Sequence, residues 1–510
     1  MRRSRWVCGL ALVLQLAGCG PDPVQGPLAE DAPGDHEDSD SPADSDEPQP
    51  DDGDGIYVLY GKPHPTADDP QLFDRHEPMA RGRAGRPSVV LAVLDTVRAD
   101  HLSACGYFRP TSPTLESLVG RGATLTCRAY APGDWTLPSH ASFFTGRMPS
   151  EHGAGWAAAH PAGGDPDREA LQTNGLSIFP LGPELPTLAE RMAQRGYQTV
   201  LVSANRLLTG PSGLDRGFER AVSPPESADP RRPWVVALLA SELRSQVDPH
   251  RPLFLVLNLL DAHDPWVALP DDLSWPGRAE RTLPPDRFAE YFTAYPEHRL
   301  RRELAEPFRR QLVDLYDHGI LRADVHLGAA LGLLEDTGWL ARGSRVIVTA
   351  DHGENLGEHG LVRHSLVYEG NTRVPLLYWE VGRARKLQLP EPVSAIVVHS
   401  LALSGELPRS LPPVQSISVP AITHFRTPEA SAPGLALWEG FEKIAFLGGS
   451  WRRFDLRRDP GEQSPLAVPA DDPRRGELLA IHAALEPAQH PAAHASGSLT
   501  EQLRSLGYVR

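Results

Sequence analysis

Long hydrophobic runs, cysteine and positive charge are all scarce in this chain, and each scarcity excludes something. The opening apolar stretch, Trp6 to Leu14, follows Arg2, Arg3 and Arg5 and covers nine residues, against the roughly 20 that a membrane-spanning helix needs. It reads as a secretion leader rather than a span. Of the four cysteines, Cys8 falls inside that leader and Cys19 at its end. Cys105 and Cys127 remain for the folded part, as one bridge or as two buried thiols, and neither arrangement makes a disulfide-dense scaffold. The formal charge is -16, and thirteen of the acidic residues lie between Gly20 and Gly55, where there is no Lys or Arg. The acidity therefore belongs mostly to one segment, and nothing in the charge balance points to nucleic acid. No Gly-X-Ser-X-Gly occurs, which removes the nucleophile elbow of the α/β hydrolases.

The leader ends in Leu16-Ala17-Gly18-Cys19, which resembles a bacterial lipobox. Lipidation of Cys19 would fasten the exported chain to a membrane of the bacterial cell envelope, on the outer membrane or facing the periplasm. Residues 1–19 are thus expected to be a lipoprotein signal. Residues 20–86 are expected to form an acidic, disordered tether too poor in apolar surface to fold.

From Pro87 onward the pattern changes. Val89 to Leu94 is a continuous β-branched and apolar run ending at Asp95, as in a strand buried on both faces. Ser112-Pro113 opens a helix that Gly122 closes. Helices near 185–194, 234–246 and 308–336 then alternate with strands at 199–203, 253–259, 345–349 and 374–378. This alternation predicts an α/β fold over 87–404, with a large, mainly parallel sheet flanked by helices on both faces. From about Gly405 the run breaks up, and short strands at 443–447 and 452–456 predict a small C-terminal α+β subdomain over 405–510. In such folds ligands gather beyond the carboxyl ends of the strands, which is where Asp95, His263 and Asp351 fall.

Five polar islands carry the chemistry. Asp95 heads Asp95-Thr96-Val97-Arg98. Thr136 heads Thr136-Leu137-Pro138-Ser139-His140, where Pro138 opens a helix whose first amides suit an anionic ester. His263 follows the strand ending at Leu259. Asp351 and His352 offer one hard oxygen and one imidazole to a single cation. His364 sits on a loop that returns to the sheet.

In order, VVLAVLDTVRADHLSACGY, TLPSHASFFTGRMPSEHG, NLLDAHDPW, VTADHGENLGEHG and YEGNTRVPLL resemble the motifs of the sulfatase family of the alkaline phosphatase superfamily. FDLRRDPGEQ and EQLRSLGYV resemble its C-terminal subdomain. The resemblance implies one divalent metal held by Asp95, Thr136, Asp351 and His352, with Thr136 as nucleophile. It places His263 and His364 where residues contact the transferred group and protonate the leaving group. Three departures stand out. Thr96 replaces the second Asp of the first pair, His140 replaces the motif's Arg, and Thr136 cannot become formylglycine as the family's Cys or Ser does. His140 joins Thr136, His263 and His364 as a catalytic candidate. The three lysines of the chain lie away from these motifs.

The resemblance implies calcium or magnesium first, while His352 admits manganese or zinc. The expected activity is hydrolysis of a small-molecule or glycan sulfate or phosphate ester. The alternatives are a phosphoethanolamine- or phosphoglycerol-transferase-like enzyme of the envelope, and an inactive binding lipoprotein.

Overall fold

The computed structural model describes residues 87–484 except 157–176, 211, 226–232, 265, 267–305, 384–385 and 419–433, together with 79, 81–82 and 493–494. The leader, Cys19, nearly all of the expected tether and the EQLRSLGYV tail lie outside the described residues. Along the chain the strands are β1 (Val89–Leu94), β2 (Thr124–Tyr130), β3 (Gly155–Trp156), β4 (Ser177–Phe179), β5 (Gln198–Ser203), β6 (Arg220–Val222), β7 (Leu253–Leu259), β8 (Arg345–Thr349), β9 (Asn355–Leu356), β10 (Val362–Arg363), β11 (Arg373–Glu380), β12 (Val393–Ser394), β13 (Gln415–Ser418), β14 (Gly434–Glu439), β15 (Glu442–Leu447), β16 (Ser450–Asp455) and β17 (Ala493–His494).

The main sheet has eight strands in the order β12-β2-β11-β8-β1-β7-β5-β6. Parallel pairing joins β8, β1, β7, β5 and β6, and β12 to β2, while β11 runs antiparallel between β8 and β2. The sheet is thus mainly parallel, as expected. Every residue of β1 and β7 is buried, because VVLAVL and LFLVLNL present apolar side chains to both faces. Helices cover the sheet in two groups. The 31-residue helix Glu306–Asp336 packs on Pro113–Gly120 and Trp234–Ser245, while Thr136–Thr145, Leu188–Gln194 and Val398–Ser404 pack on one another. Between them lies one continuous apolar core. Among the described residues no helix is long and apolar enough to cross a membrane.

Four antiparallel strands in the order β13-β14-β15-β16 form the small C-terminal sheet, with the helix Pro473–Ala484 against β14. It is tied to the large sheet near Thr136: Ile417 N donates to Pro132 O at 3.0 Å. A second apolar cluster joins Leu361, Val367 and Tyr368 to Trp438, Leu447 and Phe454. Cys105 and Cys127 are bridged, which resolves the two possibilities the sequence left open and staples the loop after β1 to β2. β2, whose Thr, Cys and Arg interrupt the apolar run, lies outside the strands expected from sequence, as do β13 and β14.

Candidate active site

The site is built at the carboxyl ends of β1, β5, β7 and β8, where parallel strands release their chains in one place. Asp95 follows β1 directly, and its amide donates to Leu259 O at 2.9 Å. Its Oδ2 accepts from Asn205 Nδ2 and from Asn258 Nδ2, both at 3.1 Å. Asp351, two residues past β8, accepts at Oδ1 from the amides of Thr96 and His352 at 3.3 and 3.0 Å. The His352 ring places Nε2 3.9 Å from Asp95 Oδ1 and 3.5 Å from Asp351 Oδ2. One ligand atom from each of Asp95, Asp351 and His352 lies within 4.8 Å of the others.

Three atoms facing this point, Asp95 Oδ1, Asp351 Oδ2 and His352 Nε2, are buried and have no hydrogen-bond partner. Sealed polar atoms left this way are costly unless something else binds them. Burial, and after it the Asp351 carboxylate, hold the Asp95 carboxyl above its usual range. Burial pushes Asp351 up to about 7 and His352 down to about 4. Two carboxylates facing each other beside a neutral imidazole make a donor set that fits a divalent cation.

Thr136 is the first residue of the buried helix Thr136–Thr145, after the extended Trp135. The helix begins two residues before Pro138, which sits in the first turn where its missing amide costs nothing. Asn205 Nδ2 stands 3.3 Å from Thr136 Oγ1 as well as 3.1 Å from Asp95 Oδ2. One amide group therefore joins the Thr136 hydroxyl to the Asp95 carboxylate. His140, one helical turn on, donates from Nδ1 to Thr136 O at 3.0 Å, and the same nitrogen lies 3.5 Å from Asp351 Oδ2. Burial holds it down to about 4. The His364 ring lies tilted against two of the other imidazoles, with ring centres 4.6 Å from His352 and 5.2 Å from His263. All seven side chains expected from the sequence thus come together at these strand ends.

Thr96 sits in the left-handed backbone region at φ 62°, unusual for a β-branched residue. It is pinned there, since Tyr316 OH donates to Thr96 O at 2.6 Å and Arg98 N donates to Tyr316 OH at 2.9 Å. Arg98 is buried and reaches the 351–360 loop, donating to Glu354 O and to Glu358, each at 3.0 Å. Gly353 in that loop has no room for a side chain, because an added Cβ would lie 2.1 Å from Gly370 O. Asn205 and Asn258 were not chosen as site residues from sequence. Asn258 had a signal, a lone amide in the apolar run LFLVLNL of a buried strand; Asn205 had only its place after β5.

A model of the Sulfatase family matches residues 87–402. The chain belongs to the sulfatase family. This sulfatase-family chain is 28% identical to human (Homo sapiens) arylsulfatase A over 368 residues, 66% of each protein. It thus spans a little under two thirds of that relative. It is 25% identical to the choline-sulfatase of Rhizobium meliloti (strain 1021), over 75% of this chain and 83% of the relative. In structure it superimposes on the phosphonate monoester hydrolase of Agrobacterium radiobacter with a TM-score of 0.55 at 18% identity, covering 79% of this chain and 96% of that one. That likeness is one of fold. It agrees with the large sheet and its flanking helices.

Proposed function

We propose that this sulfatase-family chain is a metal-dependent hydrolase of sulfate or phosphate esters that uses Thr136 as its nucleophile. The observation that carries the reading is the amide of Asn205, shared between Thr136 Oγ1 and Asp95 beside the unpartnered atoms of Asp95, Asp351 and His352. Asp95, Asp351, His352 and the Thr136 oxygen would hold the cation, which when bound lowers the hydroxyl pKa and offsets negative charge on the ester. Nitrogen from His352 keeps manganese and zinc admissible beside the calcium or magnesium that the family resemblance implies.

The residues of the chain supply the rest. Thr136 Oγ attacks sulfur or phosphorus in line and becomes esterified, with Asn205 Nδ2 at hand to donate to a non-bridging oxygen. An imidazole of the His263 and His364 pair gives the departing alkoxide its proton. Water then cleaves the Thr136 ester. Since Thr136 is neither Cys nor Ser, no formylglycine is involved, and His140 occupies the position of the Arg that accompanies it in the family.

Export and lipid anchoring through Cys19 form part of the same proposal. They are supported by the lipobox-like LAGC and by the Cys105–Cys127 bridge, since disulfides persist in oxidising compartments. The decisive experiment is a panel of aryl sulfate, phosphate monoester and phosphate diester with added divalent metals, read against Thr136→Ala. Loss of more than about 10³-fold with an unchanged melting temperature is expected. Activity surviving in Thr136→Ala removes the nucleophile assignment, and an inert wild type with no bound metal leaves a binding protein on a sulfatase scaffold.

A further inference from the structure

The chain segments that carry Thr136, His352 and His364 meet at one short stretch, Glu369–Thr372, the single helical turn that leads into β11. Main-chain bonds join two of them to it. Gly353 N, next to His352, donates to Asn371 O at 2.7 Å and Glu354 N to Gly370 O at 3.0 Å, while Ala131 N, on the way to Thr136, donates to Thr372 O at 2.8 Å. The third segment is held by a side chain. Asn371 Nδ2 donates to Leu366 O at 2.7 Å and reaches Asp134 O at 3.4 Å. Leu366 lies two residues after His364, and Asp134 two before Thr136. Both partners are carbonyl oxygens, which only accept, so it is the NH₂ end of the side chain that faces them.

The His364 loop needs such a hold. Arg363 and Leu366, on either side of His364, stand at φ 63° and 62°, in a backbone region that residues with a side chain keep only where their surroundings enforce it. Two buried asparagines supply the enforcement. Asn355 Nδ2 donates to Arg363 O and Ser365 O at 2.8 and 3.1 Å, and Asn371 takes Leu366 O. Asn371 in addition reaches the chain just before Thr136. It is fully buried, yet its own Oδ1 meets no donor among the described residues. A sealed amide with one end unpaired is a poor choice for stability alone, so its placement calls for a reason beyond packing.

We infer that Asn371 is a positioning residue for the hydrolysis: its side-chain amide fixes the His364 loop against the chain that delivers Thr136, and with it the place of the His364 imidazole relative to the Thr136 hydroxyl. This rests on the hydrolase reading above. Asn371 acts here on the geometry of the reacting groups and not on the metal ligands. Its tie to the His352 loop runs through its main-chain carbonyl, which survives any replacement of the side chain.

The test is Asn371→Ala in the full-length chain in detergent, assayed on whichever p-nitrophenyl ester, sulfate or phosphate, the wild type hydrolyses faster. We expect kcat to fall by about 10- to 100-fold, with KM and the affinity for manganese, titrated into chelator-treated protein, each within about threefold of wild type. Leu366→Gly supplies the rescue, because glycine takes a positive φ at no steric cost. The double variant Asn371→Ala, Leu366→Gly should regain at least about fivefold in kcat over Asn371→Ala. Leu366→Ile strains the same backbone while leaving Asn371 untouched, since a β-branched side chain resists φ near 62°. It should lower kcat as Asn371→Ala does, and it carries the test should Asn371→Ala fail to fold. Wild-type kcat in Asn371→Ala or Leu366→Ile, manganese affinity falling in step with kcat, or no regain in the double variant overturns the positioning role while an inactive Thr136→Ala keeps the hydrolase reading. Full activity in Thr136→Ala, or a wild type inert on every ester, overturns that reading and this inference together.

Discussion

Two regions of this molecule bury carboxylates against each other, and they solve the problem in opposite ways. Under the small C-terminal sheet, Glu369 and Glu462 flank the fully buried Lys443 Nζ at 3.4 and 2.6 Å. Trp438 Nε1 and Tyr130 OH donate to Glu369 at 2.7 and 3.1 Å, and the ammonium lies 4.7 Å from the Trp438 ring centre. At the carboxyl ends of the central strands β1 and β8 of the large sheet, Asp95 and Asp351 face each other with His352. Among the described residues no lysine or arginine pairs with either. The first cluster contains its own cation and is architecture. The second has the same need and no internal cation to meet it, which is the physical mark of a place for an ion from solution.

Removing one charge from each cluster is the strongest way to break that comparison. Lys443→Met strands two buried carboxylates and should cost about 3–5 kcal/mol in urea unfolding. Asp351→Asn keeps an oxygen that can accept from the Thr96 and His352 amides while it removes a facing charge. The metal-free form should therefore be as stable as wild type or more so, with the gain from added metal lost. For wild type that gain is about 2.7 kcal/mol at a hundredfold excess over Kd. A large destabilisation of metal-free Asp351→Asn would mean that its carboxylate is structural, like those beside Lys443.

A smaller effect sharpens the contrast from outside both clusters. The Cys105–Cys127 bridge spans 22 residues of sequence and ties the loop leaving Asp95 to β2. By loop entropy its replacement with two serines should cost about 3 kcal/mol. If the site loop is held by Arg98 and Tyr316 rather than by the bridge, metal affinity should scarcely change. A fall in affinity equal to the fall in stability would show that the staple shapes the pocket.

These contrasts also mark what the sequence could carry. β1, β7 and β8 were legible because strands buried on both faces must be continuously apolar, and the acidic residues that follow them fall at the strand ends by construction. Asp95, Asp351 and His352 were legible as ligand types in recurring islands. Asn205 and Arg98 were not, because their roles come from partners far along the chain, Thr136 for Asn205 and Glu358 for Arg98. β2 was missed because its alternating TLTCRAY pattern draws its place in the sheet from β11 and β12, not from its own hydrophobicity.

The smallest expected effect concerns buried groups that belong to neither cluster. His152 accepts from Ala154 N at Nδ1 and meets Ser142 Oγ at Nε2, each at 3.0 Å, so it is locked as a neutral ring. Burial pushes it down to about 3, and His399, beside Phe143 O, down to about 4. In the unfolded chain both titrate near 6.5. Their contribution to stability is therefore complete above about pH 6.5 and is lost as the pH falls toward those folded values, because the unfolded state takes up protons that the folded state refuses. Urea midpoints measured from pH 7 to 4 in chelator should fall more steeply for wild type than for the double variant His152→Gln, His399→Gln. The residual slope combines His140 and His352, which burial also holds at about 4, with Asp134, Asp324, Asp351 and Glu462, which burial pushes up to about 7 and which act in the opposite sense. Saturating metal should lessen the part due to His352 by competing with its proton. An unchanged slope in the double variant would mean that these two rings already gain protons in the folded protein, and that the packing around the helix Thr136–Thr145 opens more readily than its burial implies.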